Sequence, residues 1–304
     1  MSNVRLTRRT LLAATATLPF APLAAKAAAP MLGVDMSLFQ RVKLGAFEVT
    51  TLLAGAAVRP DPQTIFGLNA SKEDFDALSE QANIPTDQAQ FFFTPTVVNT
   101  GSELVLFDTG LNPVGIKNAL NSAGYTADMI DVVVITHMHG DHIGGLMDDG
   151  TPTFPNARYI TGRVEFDAWA AMGNEKFDAN MRPLADNTTM IEDGASAFSG
   201  HTAMAAFGHT PGHMVHLIES EGKSLLIAVD FANHYVWSLA RPDWEVKFDM
   251  DKPAAAATRK KLLDMMATER MPFIGYHMPW PGMGYVETRG DGYHYVPMSY
   301  QLML

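Results

Sequence analysis

Apolar residues recur along this chain with two periods, and the switching between them outlines a layered fold. Phe47 to Leu53 alternates apolar and polar after a Leu44-Gly45 turn, which predicts a strand within 41–58. Ser71, with Asp74 three residues on, predicts the N-cap of a helix over 72–82 carrying Phe75 and Leu78. Phe91-Phe92-Phe93 opens a strand expected to run through Val97-Val98, with Leu104 to Phe107 as its hairpin partner, ending in Asp108-Thr109-Gly110. Pro113 to Ala123 reads as helix closed by Gly124, and Val132 to Ile135 as a strand buried on both faces. A short strand comes next at Arg158-Tyr159-Ile160, then a helix over 164–172 with Phe166 and Trp169, and a polar insert over 175–184. Short strands broken by glycines run from Met190 to Val229, before an amphipathic helix from Pro253 to Thr268 with Leu262, Leu263 and Met266 on one face. Phe273-Ile274-Gly275 is again a strand, and 293–304 close the chain with β character. Strands in two halves, each followed by helices, predict an α+β protein: an αββα sandwich with loops at one edge.

The N-terminus stands apart from this pattern. Arg5, Arg8 and Arg9 precede an alanine-rich apolar stretch from Leu11 to Ala25, and Ala25-Lys26-Ala27 offers a small-x-small cleavage site. Thr7-Arg8-Arg9 resembles a twin-arginine address, so residues 1–27 are read as an export signal, 28–40 as an extension and 41–304 as the folded domain. The expected location is periplasmic or secreted, with the twin-arginine export machinery as a partner. Pro19 and Pro22 break the stretch too early for a stable membrane insertion. Cleavage removes four of 22 basic residues and none of 33 acidic ones, so 18 face 33 and the net charge moves from −11 to −15. Such a surface repels phosphate backbones, which disfavours nucleic acid. With no cysteine, disulfides, thiolate nucleophiles and Cys-ligated metals are excluded.

The candidate chemistry begins where the Val132–Ile135 strand ends. His137-Met138-His139-Gly140-Asp141-His142 packs three imidazoles and a carboxylate into six positions. Imidazole nitrogen and carboxylate oxygen suit zinc, iron or manganese; the alternative is a solvated surface tract. Three more places end apolar strands or turns with similar donors. They are Gly208-His209-Thr210-Pro211-Gly212-His213, where one histidine of the two is expected to point inward, Asp230 after Ile227-Ala228-Val229, and His277 after Phe273-Ile274-Gly275-Tyr276. Singly each is weak, because a lone histidine is more often structural. In this order, at strand ends, they reinforce one another.

Together these residues resemble the metallo-β-lactamase superfamily, over most of the chain from Asp108-Thr109-Gly110 onward. Pro281-Gly282-Met283-Gly284-Tyr285 and Gly292 to Pro297 look like its branch of methyl parathion hydrolase-like enzymes. The resemblance implies two divalent metal ions, zinc first, with iron, manganese or cobalt as alternatives. His137, His139 and His213 would hold one; Asp141, His142 and His277 the other; Asp230 would bridge them. Asp108 would brace a ligand from behind. His201, His209, His216, His234 and His294 are left as structural or surface residues. The implied reaction is hydrolysis by a metal-bridging hydroxide that Asp141 would orient, taking its proton as the new bond to the substrate forms.

For the substrate, the branch places Trp169 at a pocket wall, with Phe177 and Asn233 as further candidates, which suits a small neutral hydrophobic lactone, aryl ester or, promiscuously, an organophosphate triester. Two departures qualify this. The loop after Gly110 is shorter than in methyl parathion hydrolases and lacks a pocket aromatic, and Asn233 stands where acyl-homoserine lactonases carry a tyrosine, leaving His234 or Tyr235 as substitutes. The competing reading is an iron-dependent persulfide dioxygenase-like oxidoreductase of the same superfamily. A homodimer is common in the branch, though no residue here demands one.

Overall fold

Neighbouring residues on each strand belong to different layers of the core. In chain order the first strands are β1 (Phe39–Leu44), β2 (Phe47–Leu52), β3 (Gly55–Pro60), β4 (Gln88–Phe93), β5 (Thr96–Asn99), β6 (Leu104–Phe107) and β7 (Val132–Ile135). Next come the two-residue pair β8 (Met147–Asp148) and β9 (Thr151–Pro152), then β10 (Arg158–Gly162), β11 (Thr188–Ile191), β12 (His201–Ala205) and β13 (Met214–Ser220). The last are β14 (Lys223–Val229), β15 (Phe273–Gly275), β16 (Met283–Arg289) and β17 (Gly292–Pro297). The helices are α1 (Lys72–Gln81), α2 (Pro113–Ser122), α3 (Gly140–Ile143), α4 (Arg163–Met172), α5 (Glu175–Asn180), α6 (Trp237–Ala240) and α7 (Lys252–Glu269). These positions come from a computed structural model that describes residues 31, 33 and 35–299. The expected signal over 1–27, part of the extension over 28–40 and residues 300–304 lie outside the described residues.

One seven-stranded sheet runs β1-β2-β5-β6-β7-β10-β11, and a six-stranded sheet runs β12 to β17 in sequence order. Val105 and Phe107 of β6, with Val132 and Val134 of β7, pack against Leu225 and Ile227 of β14 between the two sheets. Their neighbours Leu106 and Val133 turn the other way, onto Ile116 and Leu120 of α2 and Trp169 of α4. On the second sheet Leu226 and Ala228 turn outward onto Leu262, Leu263 and Met266 of α7. The period-two alternation therefore builds four layers, the expected αββα sandwich.

The cap at Ser71 acts as read, accepting the Asp74 amide at 3.0 Å at the start of α1; at α2 the residue before Pro113, Asn112, accepts the Gly115 amide at 2.9 Å. One expectation is corrected: the strand from Phe91 does not run on through Val98. It ends at Phe93 and pairs with β3 in a separate two-stranded sheet. Pro95, which has no amide to give a ladder, separates it from β5, which joins the main sheet. The first strand, β1, begins at Phe39.

β6, β7 and β10 are parallel, as are β14 and β15. The residues just past the carboxyl ends of β6, β7, β14 and β15 are those that carried the candidate chemistry: Asp108, His137, Asp230 and His277. A strand's last residue fixes where its successor points, so these side chains are placed by the sheets themselves.

Candidate metal centre

The His loop leaves β7 at Thr136, whose backbone amide and hydroxyl both donate to Asp108, each at 2.9 Å. The other face of the arrangement is His142, whose Nδ1 lies 2.8 Å from the same carboxylate. Asp108 itself sits at φ 59, so the chain turns sharply after β6 and aims its carboxylate under the loop. His139 is the extended residue at the start of α3, and that single turn brings His142 back beneath His137, their ring centroids 3.9 Å apart.

Asp230 stands at the centre. Its Oδ2 lies 3.3 Å from Nε2 of His209, 3.3 Å from Nε2 of His277, 3.6 Å from Nε2 of His142 and 3.9 Å from Nε2 of His137. The preceding Val229 has φ 45, a conformation that a β-branched residue adopts only under strain, beside a register shift between β14 and β15. That distortion turns Asp230 out of the sheet and into the donor ring. On the mouth side Asp141 places Oδ2 3.4 Å from His277 Nε2 and 3.6 Å from His142 Nε2. Three overlapping triads result, each with donor atoms within 4.8 Å of one another: His137, His139 and His209; His137, His142 and Asp230; Asp141, His142 and His277.

The donor set fits divalent cations. Nε2 of His142, Nε2 of His213 and Oδ1 of Asp230 are buried without a hydrogen-bond partner. Each such orphan costs about 1–3 kcal/mol, a penalty that a bound cation removes. Protons partly stand in for that charge. Burial pulls His142 down, but Asp108, Asp230 and Asp141 outweigh it and hold the ring well above its ordinary value. Burial likewise opposes His209 and His277; Asp230 and Asp249 lift the first to about 9, and Asp230 and Asp141 raise the second. Burial first, then neighbouring imidazoles, push His137 and His139 well below the ordinary range and His213 to about 3.

These shifts carry a pH dependence. A group raised on folding contributes stability that is full below its unfolded value of 6.5 and is lost as the pH climbs through the folded value, about 9 for His209. The metal-free chain should therefore lose stability over that window, whereas metal affinity should rise across it as the competing protons leave. Chelator competition and melting of the metal-free protein at several pH values check both; a flat affinity profile would contradict the assignment.

Several placements differ from expectation. His213 points inward, its Nδ1 3.0 Å from the Ala206 carbonyl, but so does His209, which the sequence left aside. Glu165 is a second unforeseen residue. Fully buried, it accepts from the Met138 amide, the Thr210 hydroxyl and the Gly212 amide at 2.8–2.9 Å, tying the His loop to the His209–His213 turn. A carboxylate one helical turn before buried Trp169, on the apolar face of α4, was its signal. His201 and His216 pair at 2.9 Å beside Phe107 in the inter-sheet core, the structural role expected of them.

The cavity at the centre's mouth, about 290 Å³, brings His139, Asp141, Asp230 and His277 together with Phe91, Phe93, Leu111, Phe248, Arg59 and Lys176. None of Trp169, Phe177 and Asn233 lines it. Trp169 is packed behind His139, ring centroids 5.7 Å apart, and Phe177 is fully buried against Phe166. Asn233 lies behind the carboxylate, donating from Nδ2 to Asp230 Oδ2 at 3.0 Å. The expectation for Trp169 came from the branch resemblance and that for Phe177 from the insert that follows it; both side chains belong to the apolar cluster beneath α2 and α4. His234 and Tyr235 line a neighbouring cavity, shared with Trp237 and the far side of His277.

Comparison with known proteins places the fold and the family. A model of the metallo-β-lactamase superfamily matches residues 94–277, from the β4–β5 break to the last donor. N-acyl homoserine lactonases of Bacillus thuringiensis are 28% identical over 160 residues, 52% of this chain and 60% of theirs. An atrochrysone carboxyl ACP thioesterase of Aspergillus chevalieri is 29% identical over 126 residues, 41% of this chain and 36% of its own. The match therefore spans 60% of the length of those lactonases. Among solved structures, the dizinc quorum-quenching lactonase AidC, in complex with a product, N-hexanoyl-L-homoserine, superposes with a TM-score of 0.79 at 24% identity, over 87% of this chain and 99% of that one. The hydrolase AbOPH does so with a TM-score of 0.80 at 22% identity, over 88% and 99%. At these identities the structural likeness speaks to the fold alone, and it is the family model, covering more than half of the sequence, that places this chain in the metallo-β-lactamase superfamily.

Proposed function

We propose that this protein is an exported, metal-dependent hydrolase of a lactone or aryl ester. The observation that carries the reading is Asp230 Oδ2 standing between donor groups on two sides, with imidazoles of His137 and His209 on one and of His142 and His277 on the other. In this reading His137, His139 and His209, whose donor atoms converge, would hold one divalent ion and Asp141, His142 and His277 a second, with Asp230 beside both; the expected ligand His213 gives way to His209 of the same turn, because it stands in none of the converging triads. Such ions supply a Lewis acid and an acidified water.

The chain's own side chains do the rest. Asp141 is part-exposed at the mouth, where its carboxylate orients the attacking water and takes its proton. Phe91, Phe93 and Phe248 give the acyl or aryl part an apolar wall. Hydrolysis turns a neutral ester into a carboxylate, and Arg59 and Lys176 at the same mouth attract that charge; the Lys176 side chain lies so close over Gly140 that a Cβ there would come within 2.7 Å of Nζ. Asn233 donates to Asp230, and an amide is in any case no acid for a departing alkoxide, so the leaving group relies on the proton that Asp141 has taken. The rate should therefore depend on the acidity of the leaving group.

The test is hydrolysis by the metal-quantified protein of dihydrocoumarin, p-nitrophenyl acetate, an acyl-homoserine lactone, methyl paraoxon and a penicillin. Aryl leaving groups are expected to be turned over faster than the acyl-homoserine lactone, by about tenfold or more, since each 1.4 kcal/mol of barrier is tenfold in rate. No turnover of any of them, with one iron bound per chain and thiol-dependent oxygen uptake, would sink the hydrolase reading.

A further inference from the structure

Beside the metal centre lies a second cavity, of about 270 Å³, which among the described residues shares only His277 with the mouth. Strand β4 divides the two: Phe91 and Phe93 face the mouth, and Phe92, pointing the other way, faces the second cavity. Ile84, Pro85, Trp237 and Pro279 complete its apolar walls. The mouth is charged, with Asp141, Arg59 and Lys176 around it, whereas among the described residues no carboxylate, lysine or arginine lines the second cavity. An ion entering there would give up its hydration without meeting a counter-charge, so the space suits a neutral molecule.

One polar group is aimed into it. His234 is 7% exposed, and its ring lies on that of Trp237, centroids 3.8 Å apart and planes 21° from parallel. Its Nδ1 accepts the amides of Val236 and Trp237, each at 3.2 Å, at the start of α6. A nitrogen that accepts two amides cannot also carry a proton, so the neutral ring holds its single proton on Nε2. Burial keeps the ring neutral, pushing its pKa down to about 3. Nε2 is therefore an obligate donor. Among the described residues it meets no acceptor, and the ring it belongs to lines the cavity. A buried donor is costly to leave unmet, and this one is held in direction by the Trp237 stack and the two amides, so engaging it needs little further ordering.

We propose that this cavity is a binding site for a small neutral aryl carbonyl compound, whose oxygen accepts a hydrogen bond from His234 Nε2. Phe92 and Trp237 supply the aromatic walls for the ring of such a ligand. The inference goes beyond hydrolysis at the metal centre and does not depend on it, since a ketone that no hydrolase cleaves should bind as well as an ester. The occupant would lie against the outer side of His277, whose Nδ1 is 2.8 Å from the Phe92 carbonyl.

The probe is acetophenone, titrated by calorimetry into the zinc-loaded full chain beside α-methylstyrene, its isostere with a methylene group in place of the oxygen. Acetophenone should bind saturably, and in protein carrying isotope-labelled histidine the Nε2–H resonance of His234 should shift as it does so. His234→Asn, whose side-chain carbonyl can still accept the two amides, should bind acetophenone about tenfold more weakly and α-methylstyrene as before. Phe248→Ala, at the metal mouth, should leave acetophenone affinity unchanged. No saturable binding up to the solubility limit overturns the proposal, as does an unmoved His234 resonance or equal weakening of both ligands in His234→Asn. Binding lost in Phe248→Ala and kept in His234→Asn overturns it too, by placing the ketone at the metal mouth. The resonance is read on the unmodified protein, so it decides the matter even if His234→Asn fails to fold. Failure of every hydrolysis assay would sink the hydrolase reading and leave this result untouched.

Discussion

Asp230→Ala is expected to lower kcat/KM by about 10³-fold on the best substrate, a loss of about 4 kcal/mol of barrier stabilisation. The reason is the position of one oxygen. Oδ2 lies within 3.9 Å of four imidazole nitrogens, and among the described residues no other carboxylate touches donors on both sides of the centre so closely. Its removal leaves His137, His142, His209 and His277 facing one another, and buried imidazoles without a counter-charge do not share a cation well. Melting of the variant beside the parent separates any loss of fold from loss of metal or of rate. Steady-state kinetics with metal content measured on the same sample decides it. A loss under about tenfold, with both ions retained, would remove Asp230 from the role of bridge.

Arg259→Ala should be the most damaging change to stability away from the metal ligands. The guanidinium is 1% exposed; Nη2 pairs with Asp249 at 2.6 Å, Nε donates to the Phe231 carbonyl at 3.1 Å and Nη1 to the Pro242 carbonyl at 2.8 Å. Truncation strands a buried carboxylate and two carbonyls, and breaking a buried pair from one side costs about 3–5 kcal/mol. For a domain of this size that lowers the melting temperature by roughly 6–20 °C. Calorimetry on metal-free protein reads the packing loss alone. A shift below about 2 °C would mean that water or a rearranged side chain rescues Asp249.

How much of this the sequence discloses depends on the range of the signal. The His loop is readable because Val132–Ile135 is too apolar to be anything but buried, so residues 136–142 must emerge at a strand's end. Caps at Ser71 and Asn112 act within three residues and place α1 and α2 to within a residue or two. Partnership across the fold is a different matter. Phe91–Phe93 has the right periodicity for a strand, yet nothing in it says that the partner is β3 rather than the main sheet; only Pro95 hints at the break. The choice between His209 and His213 is also non-local, because it depends on Asp249, 40 residues beyond His209. A local clue did exist. Arg259 occupies the apolar stripe of α7, with Ala255, Leu262, Leu263 and Met266, and a charge in such a stripe requires a buried partner. Glu165 beside Trp169 gives the same warning on α4.

Trp169 and Phe177 were expected at the substrate from the branch resemblance, whereas the mouth beside Asp230 is walled by Phe91, Phe93 and Phe248, two of them from the separate β3–β4 sheet. The sheet that sequence periodicity merged into the main one is thus the element that shapes the pocket. Arg59, on β3, is at that mouth for the same reason.

The central claim is that Asp230 joins two metal sites, and the most direct measurement is the number of divalent ions bound per chain. Metal-stripped protein titrated with zinc, with elemental analysis of the desalted product, should take up two ions per chain, the donor groups on both sides of Asp230 being filled. Saturation at a single ion, with the second never retained at any zinc concentration short of precipitation, would contradict a bridged centre and leave Asp230 as an ordinary ligand.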